Sequence, residues 1–280
     1  MRKVNVNDIR DVVSELCIEA NVNLRGDIRK ALKNAIRKEA NKKAKHVLEI
    51  LLQNARVASM ENRALCQDTG MVSVYIRVGQ DVKLVGGSLK EAIDRGVIDG
   101  YKKGFLRKSV VKSPILRDNT ATNAPPIIYT DIVNGDGINI TVMPKGFGSE
   151  NKSKLKMLDP TADKKEIISF VLQAVKEAGP DACPPYILGI GIGGTFDKVA
   201  SLAKQALILP VDNINPEKYL RKLERAIMKE VNKIGIGPMG LGGRTTCLGV
   251  NILEYPTHIA GLPVAVNVGC HITRSASKVI

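Results

Sequence analysis

Three cysteines, Cys66, Cys183 and Cys270, each stand alone in a loop-like context, far from one another in the chain. A close Cys-x-x-Cys pair suits zinc or thioredoxin-like chemistry, whereas lone thiols at turns suit a site that only the folded chain assembles. If they act together, the fold must carry three distant loops to one centre. Iron-sulfur clusters usually take four cysteine ligands, so a cluster held by three leaves one iron open to substrate.

The neighbours separate these thiols from the other two. Cys66 lies in Ala64-Leu65-Cys66-Gln67-Asp68-Thr69-Gly70, just before a β-rich run. Cys183 precedes Pro184-Pro185, which fixes the backbone and removes two N–H donors. Cys270 follows an apolar strand and precedes His271. Cys17, on an amphipathic helix, and Cys247, within an apolar strand, read as core thiols. Any one cysteine of the three also reads as a small buried hydrophobe; for the set, the polar Gln67 and Asp68 favour chemistry. Five cysteines, an odd number without framework spacing, fit a reducing compartment.

With 280 residues, 44% of them hydrophobic, the chain can bury a substantial core. No apolar run approaches the roughly 18 to 20 residues of a membrane span, and the start MRKVNVNDIR lacks a signal-type apolar core. The expectation is a cytoplasmic protein without membrane contact. A formal charge of +14 attracts anions: phosphate polymers, anionic metabolites or an acidic partner. No Trp, four Phe and six Tyr, not interleaved with basic residues, weigh against nucleic acid. The lysines spread over helix faces read as solvated.

Apolar residues at helical spacing predict helices over 8–60: one through Ile9, Val12, Val13 and Leu16, and a long second one from an Asp27 cap through Leu48 to Leu52. A strand follows at 71–78, and Ser88-Leu-Lys-Glu91 is a capping box opening a helix to about Lys102. Residues 104–126 lack periodicity, a long loop of the kind that carries function. Two β-rich runs around Asn134-Gly-Asp-Gly137 predict a hairpin. Helices are expected over 163–178, 196–207 and 216–233, and strands over 186–190, 246–253 and 264–268. The fold class is mixed α/β (α+β), an N-terminal helical layer on a mixed sheet with flanking helices. One domain over 1–280 is the simplest organisation, helices to about 60 and a mixed core from about 61.

The run Gly189-Ile-Gly191-Ile-Gly193-Gly194 satisfies GxGxxG between a strand and a helix, with Asp212 about 20 residues on. A dinucleotide site for NAD and a small-anion site at the helix start are both open, beside close packing of strand on helix.

Seven segments in order give a more specific reading. They are Cys66-Gln-Asp-Thr-Gly70, Leu106-Arg107, Asn119-Thr-Ala-Thr-Asn123, Lys145-Gly-Phe-Gly-Ser-Glu-Asn-Lys152, Ala182-Cys-Pro-Pro-Tyr186, Gly193-Gly-Thr195 and the stretch 258–275. In these the chain resembles the N-terminal, cluster-bearing half of the class I (iron-sulfur) fumarate hydratases, a family that includes two-subunit fumarases and L-tartrate dehydratases. The resemblance implies a 4Fe-4S cluster on Cys66, Cys183 and Cys270, with one iron left for substrate. It implies that Gln67, Asp68, Arg107 and the loop around Gly148 contact the dicarboxylate, with His258 nearby, and makes Asp68 and His258 the catalytic candidates. Arg107 and the Gly146 and Gly148 amides are suitable donors for a dianion on their own chemistry. As bland alternatives, Asp68 is a turn residue, Arg107 a surface cation and His258 a strand cap.

Single-chain members of that family continue past the equivalent of 274–280 into a domain with further catalytic residues. The expectation is therefore an alpha subunit completed by a separate beta subunit, in a hetero-oligomer with alpha–alpha contact. The implied reaction is reversible hydration of fumarate to (S)-malate, a step of the tricarboxylic acid cycle. L-tartrate dehydration is the alternative within the family and an NAD-dependent oxidoreductase the alternative outside it.

Overall fold

The computed structural model describes residues 1–280, whose contacts gather into two units that interleave along the chain. The first comprises Met1–Arg25, Ala55–Phe147 and Arg274–Ile280; the second comprises Gly26–Asn54 and Gly148–Thr273. In chain order the elements are β1 (Arg2–Asn5), α1 (Val6–Val22), α2 (Gly26–Lys38), α3 (Lys42–Met60), β2 (Met71–Gly79), β3 (Val82–Val85), α4 (Leu89–Lys103), β4 (Ile127–Val133) and β5 (Ile138–Lys145). Then come the single turn α5 (Phe147–Glu150), β6 (Lys154–Leu158), α6 (Lys164–Ala178), β7 (Tyr186–Gly193), α7 (Phe196–Ala206), α8 (Lys218–Lys233), β8 (Cys247–Tyr255), β9 (Leu262–Gly269) and β10 (Ala276–Val279). Mixed sheets with packed helices bear out the α+β class.

In the first unit, β10-β5-β2-β4 form one sheet. Alternation along β2 and β5 puts Val72, Val74, Ile76, Ile138, Ile140 and Val142 in one core with Ile9, Val13 and Leu16 of α1. Each such side chain contributes about 1.5–3 kcal/mol on burial. Helix α4 can press close on α1 because Gly96 and Gly100 face it: a methyl at Gly96 would stand 2.6 Å from the Arg10 carbonyl oxygen. The Ser88 hydroxyl caps α4 as expected.

The expected hairpin is absent. β4 pairs parallel with β2 and β5 pairs antiparallel with it, so β2 occupies the slot between them. The loop 134–137 wraps around the end of β2, where Gly79 N donates to Gly137 O at 2.9 Å and Gln80 N to Val133 O at 2.8 Å. A local turn signal does not register a third strand inserted from earlier in the chain.

In the second unit the order is β6-β9-β7-β8, with β8 parallel and β9 antiparallel to β7. Central β7 is buried, and Leu188 and Ile190 pack with Ile167, Val171 and Val175 of α6 and Ile227 and Val231 of α8. Helix α7 lies against β7 at Gly189 and Gly191, where a Cβ would sit 2.1 Å from Ala203 O and 2.2 Å from Val199 O. These glycines stand inside a strand and serve packing; they do not form a phosphate-binding turn.

Two helix expectations change. The long second helix is two, α2 and α3, because the Asn41 carboxamide caps Lys43 N and Ala44 N, and the buried Glu39 carboxylate accepts Asn41 N at 3.1 Å and Arg244 N at 2.8 Å. Asp27 lies inside the first turn of α2, and its carboxylate accepts Val211 N at 2.8 Å.

Candidate active site

The loop 66–70 of the first unit is anchored by several other segments of that unit. Leu65 N, at its entrance, donates to Asn21 O of α1 at 2.8 Å. Three consecutive carbonyls then each accept from a side chain of a different segment. Arg274 Nη2 donates to Asp68 O at 2.8 Å, Tyr101 Oη to Thr69 O at 2.6 Å, and Asn123 Nδ2 to Gly70 O at 3.1 Å. Burial pushes the Tyr101 phenol up from its ordinary range, which keeps it a donor. Gly70, at φ +75°, turns the chain into β2 with its Cα against the Lys145 backbone, a conformation and approach that exclude a side chain.

This frame aims Asp68. One carboxylate oxygen accepts Gly70 N at 2.9 Å and the other accepts Phe147 N at 2.8 Å. The amide that the Gly146-to-Gly148 turn presents to a carboxylate is that of Phe147, and the carboxylate is the chain's own Asp68. Gly146 leaves room for it: an added Cβ would lie 3.1 Å from Asp68 Oδ2 and 3.5 Å from Arg274 Nη2. Gly146→Ala is therefore expected to displace the carboxylate and lower turnover about tenfold while the melting temperature moves little. Unchanged kcat in the variant would contradict that placement.

Gln67 and Arg107 are exposed in the same unit, and the Arg107 carbonyl accepts the Thr69 hydroxyl at 2.6 Å. Asn123 also accepts Ser109 N at 2.7 Å, so the long loop 104–126 is tied directly to 66–70.

In the second unit, Cys183 and Cys270 lie on adjoining loops. His271, next to Cys270, is buried; its backbone N donates to Cys183 O at 3.3 Å and its Nδ1 lies 3.1 Å from the same oxygen. Met239 N holds Pro184 O at 2.8 Å, and Thr273 caps Cys270 O through both N and Oγ1. Cys183 itself is left-handed, φ 54° and ψ 65°, a conformation that costs a non-glycine residue about 1 kcal/mol and needs such neighbours to hold it. Gly148 is exposed in α5. His258 does not join the cysteines of its unit. It is exposed in the turn before β9, with Nδ1 accepting Ala260 N at 3.2 Å, while Cys270 follows the other end of that eight-residue strand, about 26 Å away.

No group of three His, Cys, Asp or Glu side chains is disposed to hold a metal ion; Cys66 belongs to the first unit, Cys183 and Cys270 to the second. The chemistry of the donors nonetheless sorts the five thiols. Cys17 and Cys247 are buried, and burial pushes both thiols up, Cys247 to about 12, so neither yields a thiolate readily. Cys66, Cys183 and Cys270 are partly exposed on anchored loops. By that chemistry Cys66, Cys183 and Cys270 each suit thiolate ligation, and Cys17 and Cys247 do not.

A family model described as fumarate hydratase (Fumerase) matches residues 10–279. The chain belongs to this family. As a fumarate hydratase family member it is a hydro-lyase. It is 38% identical over 276 residues to the "Putative L(+)-tartrate dehydratase subunit alpha" of Methanocaldococcus jannaschii, covering 96% of each chain. It is 27% identical to the L(+)-tartrate dehydratase subunit alpha of Escherichia coli O157:H7, covering 98% of this chain and 91% of that one. The corresponding protein of Escherichia coli K12 is 26% identical with the same coverage.

Around the fumarase-family motifs the structure adds residues that sequence reading passes over: Asn21, Tyr101 and Arg274. Asn21 and Tyr101 look like ordinary helix positions. Arg274 lies within the recognised stretch, but nothing local shows that its guanidinium is buried.

Proposed function

We propose that this chain is the alpha subunit of a two-subunit hydro-lyase that hydrates fumarate reversibly to (S)-malate, with residues 1–280 acting as one alpha domain. The observation that carries the reading is the Asp68 carboxylate, two residues from Cys66, oriented through both oxygens by the Gly70 and Phe147 amides. The interleaving of the two units supports the single domain, since neither is a continuous segment.

Cys66, Cys183 and Cys270 would hold a 4Fe-4S cluster, which supplies a Lewis acid for the substrate hydroxyl. The chain's own residues do the rest of what this subunit contributes. Asp68 transfers a proton or orients the hydroxyl, through lone pairs beyond its two amide bonds. Arg107 clamps a carboxylate in bidentate fashion, and Gln67 and the Gly148 amide complete the contacts to the dianion. A separate beta subunit brings the remaining catalytic groups, in a hetero-oligomer with alpha–alpha contact. The name "subunit alpha" borne by the relatives supports that partner. His258, remote from Cys270 along its own chain, would act only where another chain presents a site to it. No helix is long and apolar enough to cross a membrane, and a reducing cytoplasm suits the thiols.

A second reading, L(+)-tartrate dehydration, is favoured by the names of the relatives. Anaerobic reconstitution with the beta subunit, followed by an iron count and kcat/KM on fumarate, (S)-malate and L-tartrate, tests both. A brown protein absorbing at about 400 nm with the higher kcat/KM on fumarate is expected. A colourless, iron-free protein overturns the proposal, and a preference for tartrate selects the second reading.

A further inference from the structure

Arg274 is 4% exposed, yet its visible partners are neutral. Nη1 donates to Asn21 Oδ1 at 3.1 Å, Nη2 donates to Asp68 O at 2.8 Å, and Nε has no partner. A buried guanidinium ordinarily takes a carboxylate in bidentate geometry, and one left with amide oxygens carries an uncompensated desolvation cost. A methionine would fill the same space without that cost. What the guanidinium adds is a fork and a charge.

The fork spans two elements. Asn21 is fully buried at the end of α1, donates to Cys17 O at 2.9 Å, and accepts Leu65 N on its own carbonyl, so it is a fixed post for the entrance of loop 66–70. Through Arg274 the same post reaches the Asp68 carbonyl on the far side of Cys66 and Gln67. The peptide plane after Asp68 is thereby locked, and that plane sets whether the Asp68 carboxylate can accept Gly70 N while it also meets Phe147 N.

We propose that Arg274 is a positioning residue that holds Asp68 and the Cys66 loop in working geometry. The role in turnover rests on the hydro-lyase assignment of Asp68; the role in loop geometry does not. Arg274→Met and Arg274→Lys should be compared with wild type by hydrogen exchange at single amides and, in the reconstituted two-subunit enzyme, by kcat and KM. For Arg274→Met, exchange at Gly70 N and Phe147 N should quicken at least about tenfold while β9 stays protected. Its kcat should fall about 100-fold with KM held within about threefold. Arg274→Lys keeps the charge but cannot span both acceptors, so its kcat should fall about tenfold, with faster exchange at Gly70 N.

Unchanged exchange at both amides in Arg274→Met overturns the proposal whatever the activity. Should that variant fail to fold, wild-type exchange and kcat in Arg274→Lys overturn it instead. A wild-type enzyme without hydro-lyase activity defeats the functional reading alone, and the exchange data still decide for Arg274.

Discussion

Cys183→Ser should yield a colourless protein whose hydro-lyase turnover falls by at least about 1,000-fold, while Cys247→Ser stays brown and active but melts earlier. The contrast follows from where the two thiols sit. Cys183 stands partly exposed on a loop held by His271 and Met239, and a serine there keeps the shape but offers a hydroxyl that does not ionise near neutrality. Cys247 is in the core between the sheet and α8, with Sγ 3.2 Å from the Gly249 carbonyl oxygen. A hydroxyl buried there costs about 1–3 kcal/mol, softened by that same acceptor. Iron per chain, absorbance and calorimetry on the two purified variants are the readouts. A Cys183→Ser protein with full iron content would remove Cys183 from the ligand set.

Gly189→Ala should destabilise the chain by about 3 kcal/mol or more, which is a large part of the stability of an ordinary domain. The added methyl would meet Ala203 O at 2.1 Å and the side chain of buried Leu207 at 2.9 Å. A helix backbone cannot retreat from a strand as a flexible side chain can, so α7 must lift from β7. Gly137→Ala, with nothing within 4 Å of the new Cβ, should change stability by no more than about 0.5 kcal/mol. Urea titration of the three proteins measures the difference. The same series addresses the NAD alternative: wild type should show no NADH binding, since Gly189 and Gly191 are consumed by packing. NADH binding that Gly189→Ala abolishes without loss of stability would reverse that conclusion.

Local signals in the sequence located most helices and the buried strands. The Ser88 cap of α4, the expected spans of α6 and α8, and the run at β7 depend on neighbours within a few residues, and each element lies within two or three residues of its expected bounds. Short strands escaped: β6 carries Lys154 and Lys156 at solvent positions, and β1 and β10 have four residues each, too few to show a period. The hairpin expectation failed for a long-range reason, the insertion of β2 between two strands that follow one another.

For the candidate site, Cys66, Cys183, Cys270 and Asp68 stand out in the sequence as residue types at turns. Their support was not, because Tyr101, Asn123 and Arg274 converge on residues 68–70 only in three dimensions. His258 illustrates the converse: the resemblance puts it near the dicarboxylate, and the fold sets it at the other end of β9 from Cys270.

The interleaving of the two units has a consequence for biogenesis. β10 must find β5, pairing Ala276 with Val142, and Arg274 must reach Asn21, so the first unit lacks an edge strand and a buried cation until after Gly148–Thr273 has been synthesised. Of the ties to the Cys66 loop, those of Tyr101 and Asn123 come from segments made before the second unit's long stretch, and that of Arg274 from a segment made after it. The Arg274 tie thus depends on a segment made after the whole of Gly148–Thr273, and a chain cut short before Arg274 would keep the Cys66 loop without it.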